Sequence, residues 1–438
     1  MDPNTTPFDL GEYAVSVVHP TALLALALCT LILLVTSSKS VLIPFLIIGT
    51  FMTAAQRIHL GQFDFTMMRL LLIGWIGRVV LRSEGQPITW NRLDSMVTVY
   101  AIVGAVVYVL LWMDRTAVVF QLGRLFDIFL IYFLLRISIQ SSEQIFVFVR
   151  ALAWVMLLSS VFMLVEHLAH FNLFSIFGGV RETVWIREGR LRAQGSFSHA
   201  IMAGTFGAAF LPLFWALYFS KISRDRVVAV VGIVGSVTMT FAAASSGAVV
   251  TLLASIVAVL MWSFRQYVVL IRRAAIPVLF GLHLVMEAPV WHLISRVDLV
   301  GGSTGYHRYR LIDSAIRNFS EWAVIGVRGT AHWGWMMHDV TNQFIKVAVD
   351  GGLIALVVFV LLLGSAFRIT GRARQLAFSH SMFARLHWAW GAVLFAHIVS
   401  FLGVSYFGQM NYFWYFTLAA IASLDQIARG EMPASEAQ

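Results

Sequence analysis

Four arginines, Arg181, Arg187, Arg190 and Arg192, lie within twelve residues of one another. They are followed at once by Gly195, Ser198, His199 and an apolar run. A guanidinium presents a planar fork of donors that matches phosphate and carboxylate. A helix start adds unpaired backbone N–H groups. Gly195 permits close backbone approach, and Ser198 is placed to cap the helix that follows. Together these residues describe an anion site. Balanced by Glu182 and Glu188, the same stretch also reads as a solvated loop. A second stretch runs from Gly301 to Asp313, with a glycine-rich lead into Tyr306, His307, Arg308, Tyr309 and Arg310. It lacks the Gly-Lys-Ser/Thr that closes a nucleotide-binding loop. A third runs from His332 to Phe344 and carries His338, Asp339 and Asn342. A neutral histidine at a membrane surface beside anion binders can act as a general base near neutral pH. Taken alone, it reads more readily as an interfacial histidine satisfied by water.

The rest of the chain must hold these stretches in place. It has 438 residues, 59% hydrophobic and only 12% charged, about half the charge of a soluble domain. That composition excludes a disordered chain and argues against a soluble enzyme. Cys29 stands alone, which excludes a disulfide scaffold. A membrane-crossing helix needs about 20 mostly apolar residues. Such runs lie near 17–36, 41–56, 64–81, 94–112, 117–136, 145–165, 199–219, 227–245, 247–264, 274–290, 351–368, 387–407 and 411–428. They are continuously apolar rather than alternating, so helices are expected and not barrel strands. The expected fold is all-α: a polytopic membrane bundle of 12–13 helices forming one integral domain over residues 1–438. The run at 41–56 is short and reads as a broken or re-entrant helix. Residues 1–15 carry no Lys or Arg, so they do not read as a cleavable signal. Residues 429–438 form a polar, frayed tail.

Net charge is +9, and lysine occurs only at Lys39, Lys221 and Lys346. Such an arginine excess suits nucleic acid, anionic lipid or a phosphate-bearing substrate; its location decides. Loops 220–226, 265–273 and 368–386 are short and basic, which assigns them to the cytoplasm. The longer segments 166–198 and 291–350 then fall on the opposite face, although both are rich in arginine. This points away from nucleic acid and towards a phosphate-bearing group or lipid headgroups outside.

Weaker polar features remain. Arg69, Arg124 and Asp127 lie inside apolar runs, where charges face a partner or a cavity. Arg124 and Asp127 are spaced to pair on one helix face; a lipid-headgroup or pyrophosphate contact is the other reading. His167 and His170 have no third ligand to make a zinc site. Nothing in the sequence pairs carboxylates for a divalent metal. No cofactor or metal is expected. His283 and Glu287, four apart in a run, have no assigned role.

In their order, these features resemble the O-antigen polymerase and O-antigen ligase family of bacterial inner-membrane proteins. The resemblance covers about 60–425 and is strongest over 186–367. It rests on the Arg-x-Arg-Ala-x-Gly-x-Phe-x-His run at 190–199, on Ser245-Ser246-Gly247-Ala248, and on the loop from Tyr306 to Gly352. Ser246 stands where many members have arginine. Thr341 stands where many have histidine, with Asn342 retained and His338 three residues earlier.

The resemblance implies a helical bundle under a large periplasmic loop in the inner membrane. It also implies metal-independent glycosyl transfer from an undecaprenyl-pyrophosphate-linked glycan, the active site facing the periplasm. On that basis Arg190, Arg192, Arg308 and Arg310 are expected at the pyrophosphate, with Arg187 in reserve. His338 is expected as the base, with Asp339 or His307 as substitutes, and Asn342 orients the site. Membrane lipids and a chain-length regulator are the implied partners. The expected outcome is polymerisation of repeat units into O-antigen or exopolysaccharide. Ligation of a finished chain to lipid A core or another acceptor is the alternative. A polysaccharide or lipid transporter is the reading from another class; it would call for internal repeats and polar groups at the membrane midplane, which the sequence lacks.

Overall fold

The computed structural model describes residues 18–85, 87–187, 189–296, 305–376 and 381–430. The N-terminal stretch without basic residues, Glu188, the glycine lead at 301–304 and nearly all of the polar tail lie outside the described residues. Among the described residues fifteen α-helices form. In chain order they are α1 (Pro20–Val35), α2 (Leu42–Phe51), α3 (Met67–Leu81), α4 (Arg92–Trp112), α5 (Arg115–Ser138), α6 (Ser142–Ala169), α7 (Ala200–Tyr218), α8 (Ser223–Ala242), α9 (Ser246–Leu260), α10 (Val268–Val285), α11 (Gly305–Arg317), α12 (Phe319–Trp322), α13 (Gln343–Leu376), α14 (Ser381–Phe401) and α15 (Gln409–Gly430). Every apolar run read from the sequence overlaps one of them, so the fold is an all-α polytopic bundle. Eight helices among the described residues are long and apolar enough to cross a membrane. Helix α2 is only ten residues long, in keeping with the short run there. Helices α10 and α14 begin about six residues before the runs read for them.

Apolar runs become helices because hydrocarbon offers the backbone no partner, so each N–H and C=O must bond within its own segment. Chain ends and turns then gather on two faces. On the first face His19 N–H donates to Gln56 Oε1 at 2.9 Å and Arg328 Nε donates to Leu111 O at 3.0 Å. On the other, Lys39 meets Glu143 at 2.9 Å and Arg372 meets Asp425 at 2.8 Å. The loops 220–226 and 265–273 lie on this second face, and the two longer arginine-rich segments lie on the first, called here the loop face.

Packing depends on small residues. A methyl group at Gly235 of α8 would lie 2.7 Å from the Met156 and Leu157 backbone of α6. One at Gly204 of α7 would lie 2.7 Å from the methyls of Ala243 and Ala248. Close backbone approach is the main source of packing energy between helices in lipid. Helix α15 sits centrally, touching α2, α4, α5, α6, α7, α13 and α14, and is buried over most of its length. Helix α10 is the opposite: no residue of it is buried.

The loop face also carries structure that the apolar runs do not predict. Strands β1 (Arg57–Leu60) and β2 (Phe63–Thr66) form one antiparallel hairpin; β3 (Trp185–Arg187) and β4 (Arg190–Arg192) form another. The large loop is folded too, through α11 and α12. It docks on α13 where Leu353 N–H donates to Ala323 O at 2.9 Å and Val327 N–H to Val349 O at 2.8 Å. Gly352 adopts φ +68° there, bending α13, and a side chain would collide with Val324 O. The bend at Gly352, inside α13, is therefore a docking point for the loop.

Candidate functional site

The hairpin β3–β4 pairs Trp185 with Arg192 and Arg187 with Arg190. Paired residues project to the same side, and side chains alternate along each strand. Trp185, Arg187, Arg190 and Arg192 therefore share one face, with Ile186 and Leu191 on the other. The Arg181 guanidinium stacks 3.8 Å over the Trp185 ring. Arg187 and Arg190, next to the turn, are exposed, whereas Arg192 is only 8% exposed.

The chain after Arg192 is tied down residue by residue. Ala193 N–H donates to Ala242 O at 3.0 Å. The buried carboxylate of Glu166, in the last turn of α6, accepts the N–H groups of Gln194 at 3.1 Å and Gly195 at 2.7 Å. Gly195 sits at φ +58°, which favours glycine. Asn172 Nδ2 donates to its carbonyl at 2.8 Å, and Ser196 Oγ donates to Thr50 O. Contrary to the sequence reading, the cap of α7 is His199 and not Ser198. Its Nδ1 accepts the Ile201 N–H at 3.1 Å, while Ser198 Oγ donates to Gln409 Oε1 at 3.4 Å.

The second arginine comes from α11. Arg308 is 7% exposed, and its Nε donates to Gly403 O at 3.1 Å. A methyl group at Gly247 would lie 3.4 Å from Arg308 Nη2, and one at Gly403 would lie 3.3 Å from its guanidinium. Arg308 therefore lies against the first turn of α9. The positive end of a helix dipole and a buried guanidinium repel each other, and an anion between them relieves both. The loop after α14 that offers Gly403 O is fixed from α13. Asn342 Nδ2 donates to Leu402 O at 3.2 Å, Gln343 Oε1 accepts the Tyr406 N–H at 2.7 Å, and Ser405 Oγ donates to Val340 O at 2.9 Å.

Electrostatics join the two stretches. Burial, and then Arg187, pull the Arg308 guanidinium down to about 10. Arg192 is lowered by the same two causes. His199 is lowered to about 4 by burial, then by Arg192, Arg181 and Arg187. Among the described residues, no carboxylate stands within ion-pair distance of Arg181, Arg187, Arg192 or Arg308. The site is thus a concentration of positive charge without a carboxylate partner among the described residues. His199 is neutral at neutral pH. With Nδ1 accepting, its proton sits on Nε2, so it offers a donor there rather than a base.

Other residues singled out in the sequence sit elsewhere. Arg310 points away from Arg308 and lies against Gly334, where a methyl would be 3.0 Å from its Nη2. Arg190 is exposed beside the hairpin turn. His338 and Asp339 are exposed on a turn next to α11, where His307 Nε2 lies 3.1 Å from Asp339 O. Asn342 is buried as the cap of α13, accepting the Phe344 and Ile345 N–H groups at 3.0 and 3.1 Å. Asp127 does not pair with Arg124, as the helix spacing suggested. It forms a two-point bond with Arg69 at 2.7 and 2.8 Å, and Arg69 also holds Asp64 at 2.7 Å. The reason is rotational: α5 turns Asp127 towards α3, whereas Arg124 Nη2 donates to Tyr100 Oη of α4 at 3.5 Å.

The sequence reading did not single out Glu166, His199, Gly247 or Gly403 as site residues. Glu166 had a signal, an acid in the last turn of an apolar helix. His199 closed the arginine motif. Gly247 had none beyond its motif and Gly403 had none at all, because their role is to leave room for a side chain from another segment. No family model matches the chain, and no curated protein matches it.

Proposed function

We propose that the chain is a metal-independent glycosyltransferase of the bacterial inner membrane, working at the periplasmic face on a glycan linked to undecaprenyl pyrophosphate. Its product is a longer lipid-linked glycan, an O-antigen or exopolysaccharide made from repeat units. One observation carries this reading. Two buried arginines from segments more than a hundred residues apart lie near the same helix start, Arg192 at the Ala243 carbonyl and Arg308 against Gly247, with Arg187 acting on both and no carboxylate partner among the described residues. A guanidinium taken out of water without a counter-charge is costly. It persists where the completing anion arrives with the substrate.

The chemistry follows. The acceptor hydroxyl oxygen attacks C1 of the donor sugar, and the bond from C1 to the phosphate oxygen breaks. The electron pair stays on the pyrophosphate, where Arg192, Arg308, Arg187 and the first turn of α9 stabilise it. The hydroxyl proton leaves to a base on the exposed turn of His338 and Asp339, with His338 the first choice. His199 donates from Nε2 to an anion or sugar oxygen. Asn342 positions Arg308 indirectly, by fixing the loop that bears Gly403 O. The lipid tail lies against the bundle, where the unpacked helix α10 leads through residues 286–304 into α11.

Deletion of the gene, followed by sizing of surface and lipid-linked glycans, tests this. Single repeats with long chains missing support polymerisation. Long chains stranded on the lipid carrier assign ligation to another acceptor instead. Normal chain length and attachment sink the glycosyltransferase reading. Arg192→Gln and Arg308→Gln should each cut product roughly 100-fold or more, the range for losing an oxyanion-stabilising donor. Full activity of His338→Ala would remove it as the base.

A further inference from the structure

A second guanidinium inside the bundle also has no carboxylate partner. Arg124 lies nine residues into α5, about 14 Å along the axis from its loop-face end. It is half-buried among α4, α13 and α15. Four other arginines of the bundle end on acids, Arg69 on Asp127, Arg78 on Glu84, Arg136 on Asp94 and Arg150 on Asp225, and Arg374 and Arg385 lie over the rings of Trp388 and Phe219. Arg124 ends on phenols. It donates to Tyr100 Oη at the long distance of 3.5 Å and has Tyr415 as a second hydrogen-bonding neighbour. The nearest acid is Asp350, which acts on Arg124 from beyond ion-pair distance. Asp350 is already held by Lys346 at 2.6 Å, so the cluster keeps one uncompensated positive charge.

A second, independent observation points to a missing acceptor. Gln121, one turn from Arg124 on the same face of α5, is 2% exposed, and its Nε2 has no hydrogen-bond partner. Leaving a buried amide donor unpaired costs about 1–3 kcal/mol. The phenols accept from Arg124, which leaves their own hydrogens to donate onward. The cluster is therefore rich in donors, a guanidinium, an amide N–H and two phenols, while Asp350, the carboxylate that acts on Arg124, is held by Lys346. A tetrahedral oxyanion supplies several acceptors and one or two negative charges together. The Lys346 and Asp350 side chains of α13 are partly exposed.

We infer that Arg124, Gln121, Tyr100 and Tyr415 form a second anion site that takes a phosphate group, separate from the Arg192–Arg308 site. The phosphate belongs either to a phosphorylated lipid or to free phosphate, and the ligand chemistry is the same. The inference does not rest on the glycosyltransferase reading.

The test is thermal unfolding of the purified full-length chain in neutral detergent. The Arg192→Gln/Arg308→Gln background silences the loop site. Titrants are dioleoyl phosphatidic acid, dioleoylglycerol as the phosphate-free lipid, and sodium phosphate at constant ionic strength. A saturable rise with phosphatidic acid and none with dioleoylglycerol is expected. Arg124→Gln should weaken it roughly tenfold, the worth of one charged hydrogen bond. Gln121→Leu, which fills the same space without the donor, should weaken it severalfold and carries the test if Arg124→Gln does not fold. A rise with sodium phosphate as strong as with the lipid assigns the site to free phosphate. No response to either phosphate probe overturns the inference. So does equal binding in the background protein and the foldable variants.

Discussion

Arg136 and Arg192 are both buried arginines, and their surroundings differ completely. Arg136, at the end of α5, holds Asp94 through Nε at 2.9 Å and Nη2 at 3.1 Å, and reaches Ser423 and Gln426 of α15. Tyr132 donates to the same carboxylate at 2.7 Å. Arg192, on the loop face, donates to the Ala243 carbonyl at 3.5 Å, and the charge that acts on it is another cation, Arg187. The first arginine is finished by the fold. The second is left unpaired, and under the proposed function that contrast separates cations that hold helices together from cations that take the substrate's phosphates. Arg150 with Asp225 and Arg372 with Asp425 belong with the first kind, on the same face of the bundle as Arg136.

The largest effect should come from breaking a finished pair. Asp94→Ala strands Arg136 in the bundle and should cost about 3–5 kcal/mol, read as loss of folded protein in detergent by size exclusion and thermal unfolding. Arg192→Gln or Arg308→Gln should leave stability unchanged or raise it, since an unpaired cation is removed, while abolishing product formation. If they destabilised the protein as Asp94→Ala does, the contrast would collapse.

Glu166→Gln tests the support beneath the loop site. The amide oxygen still accepts from Gln194 or Gly195, but neutral bonds are about half as strong as charged ones. A fall of roughly tenfold in activity is expected, with little change in the unfolding midpoint. A variant that lost nothing would show that the hairpin is placed without this carboxylate.

His199 gives a pH signature. Its ordinary value near 6.5 is lowered to about 4 in the folded protein. The unfolded chain therefore binds a proton that the folded chain refuses, and stability rises with pH through this interval. The stabilising contribution is complete above about 6.5 and is lost as pH falls towards 4. His199→Asn, which keeps a cap acceptor, should flatten that limb of the midpoint-against-pH curve. Saturating pyrophosphate should shift it as well, because an anion offsets Arg181, Arg187 and Arg192. The smallest effect belongs to Arg190→Ala, an exposed charge, and to Arg310→Ala, a half-buried one turned towards Gly334, both expected to stay within about threefold of full activity. A large loss from either would redraw the site around the hairpin turn or around Gly334.

The composition and apolar runs determine most of the fold, because helix is the solution open to a chain in hydrocarbon. The thirteen runs and the arginine-rich stretches are local facts, and so is the grouping of loops by charge. The tertiary structure alone decided which charges meet. Asp127 had a spaced partner in Arg124, but its carboxylate turns to Arg69, 58 positions away in the chain. Arg308 and Arg310 are equivalent in the sequence; the helical rotation between them puts one beside Gly247 and Gly403 and the other beside Gly334. Arg187 gained weight over Arg190 through its effect on Arg308. Helix formation is settled by neighbours along the chain. Whether a charge is paired depends on which helices pack together and how each is turned, and no local run of residues carries that information.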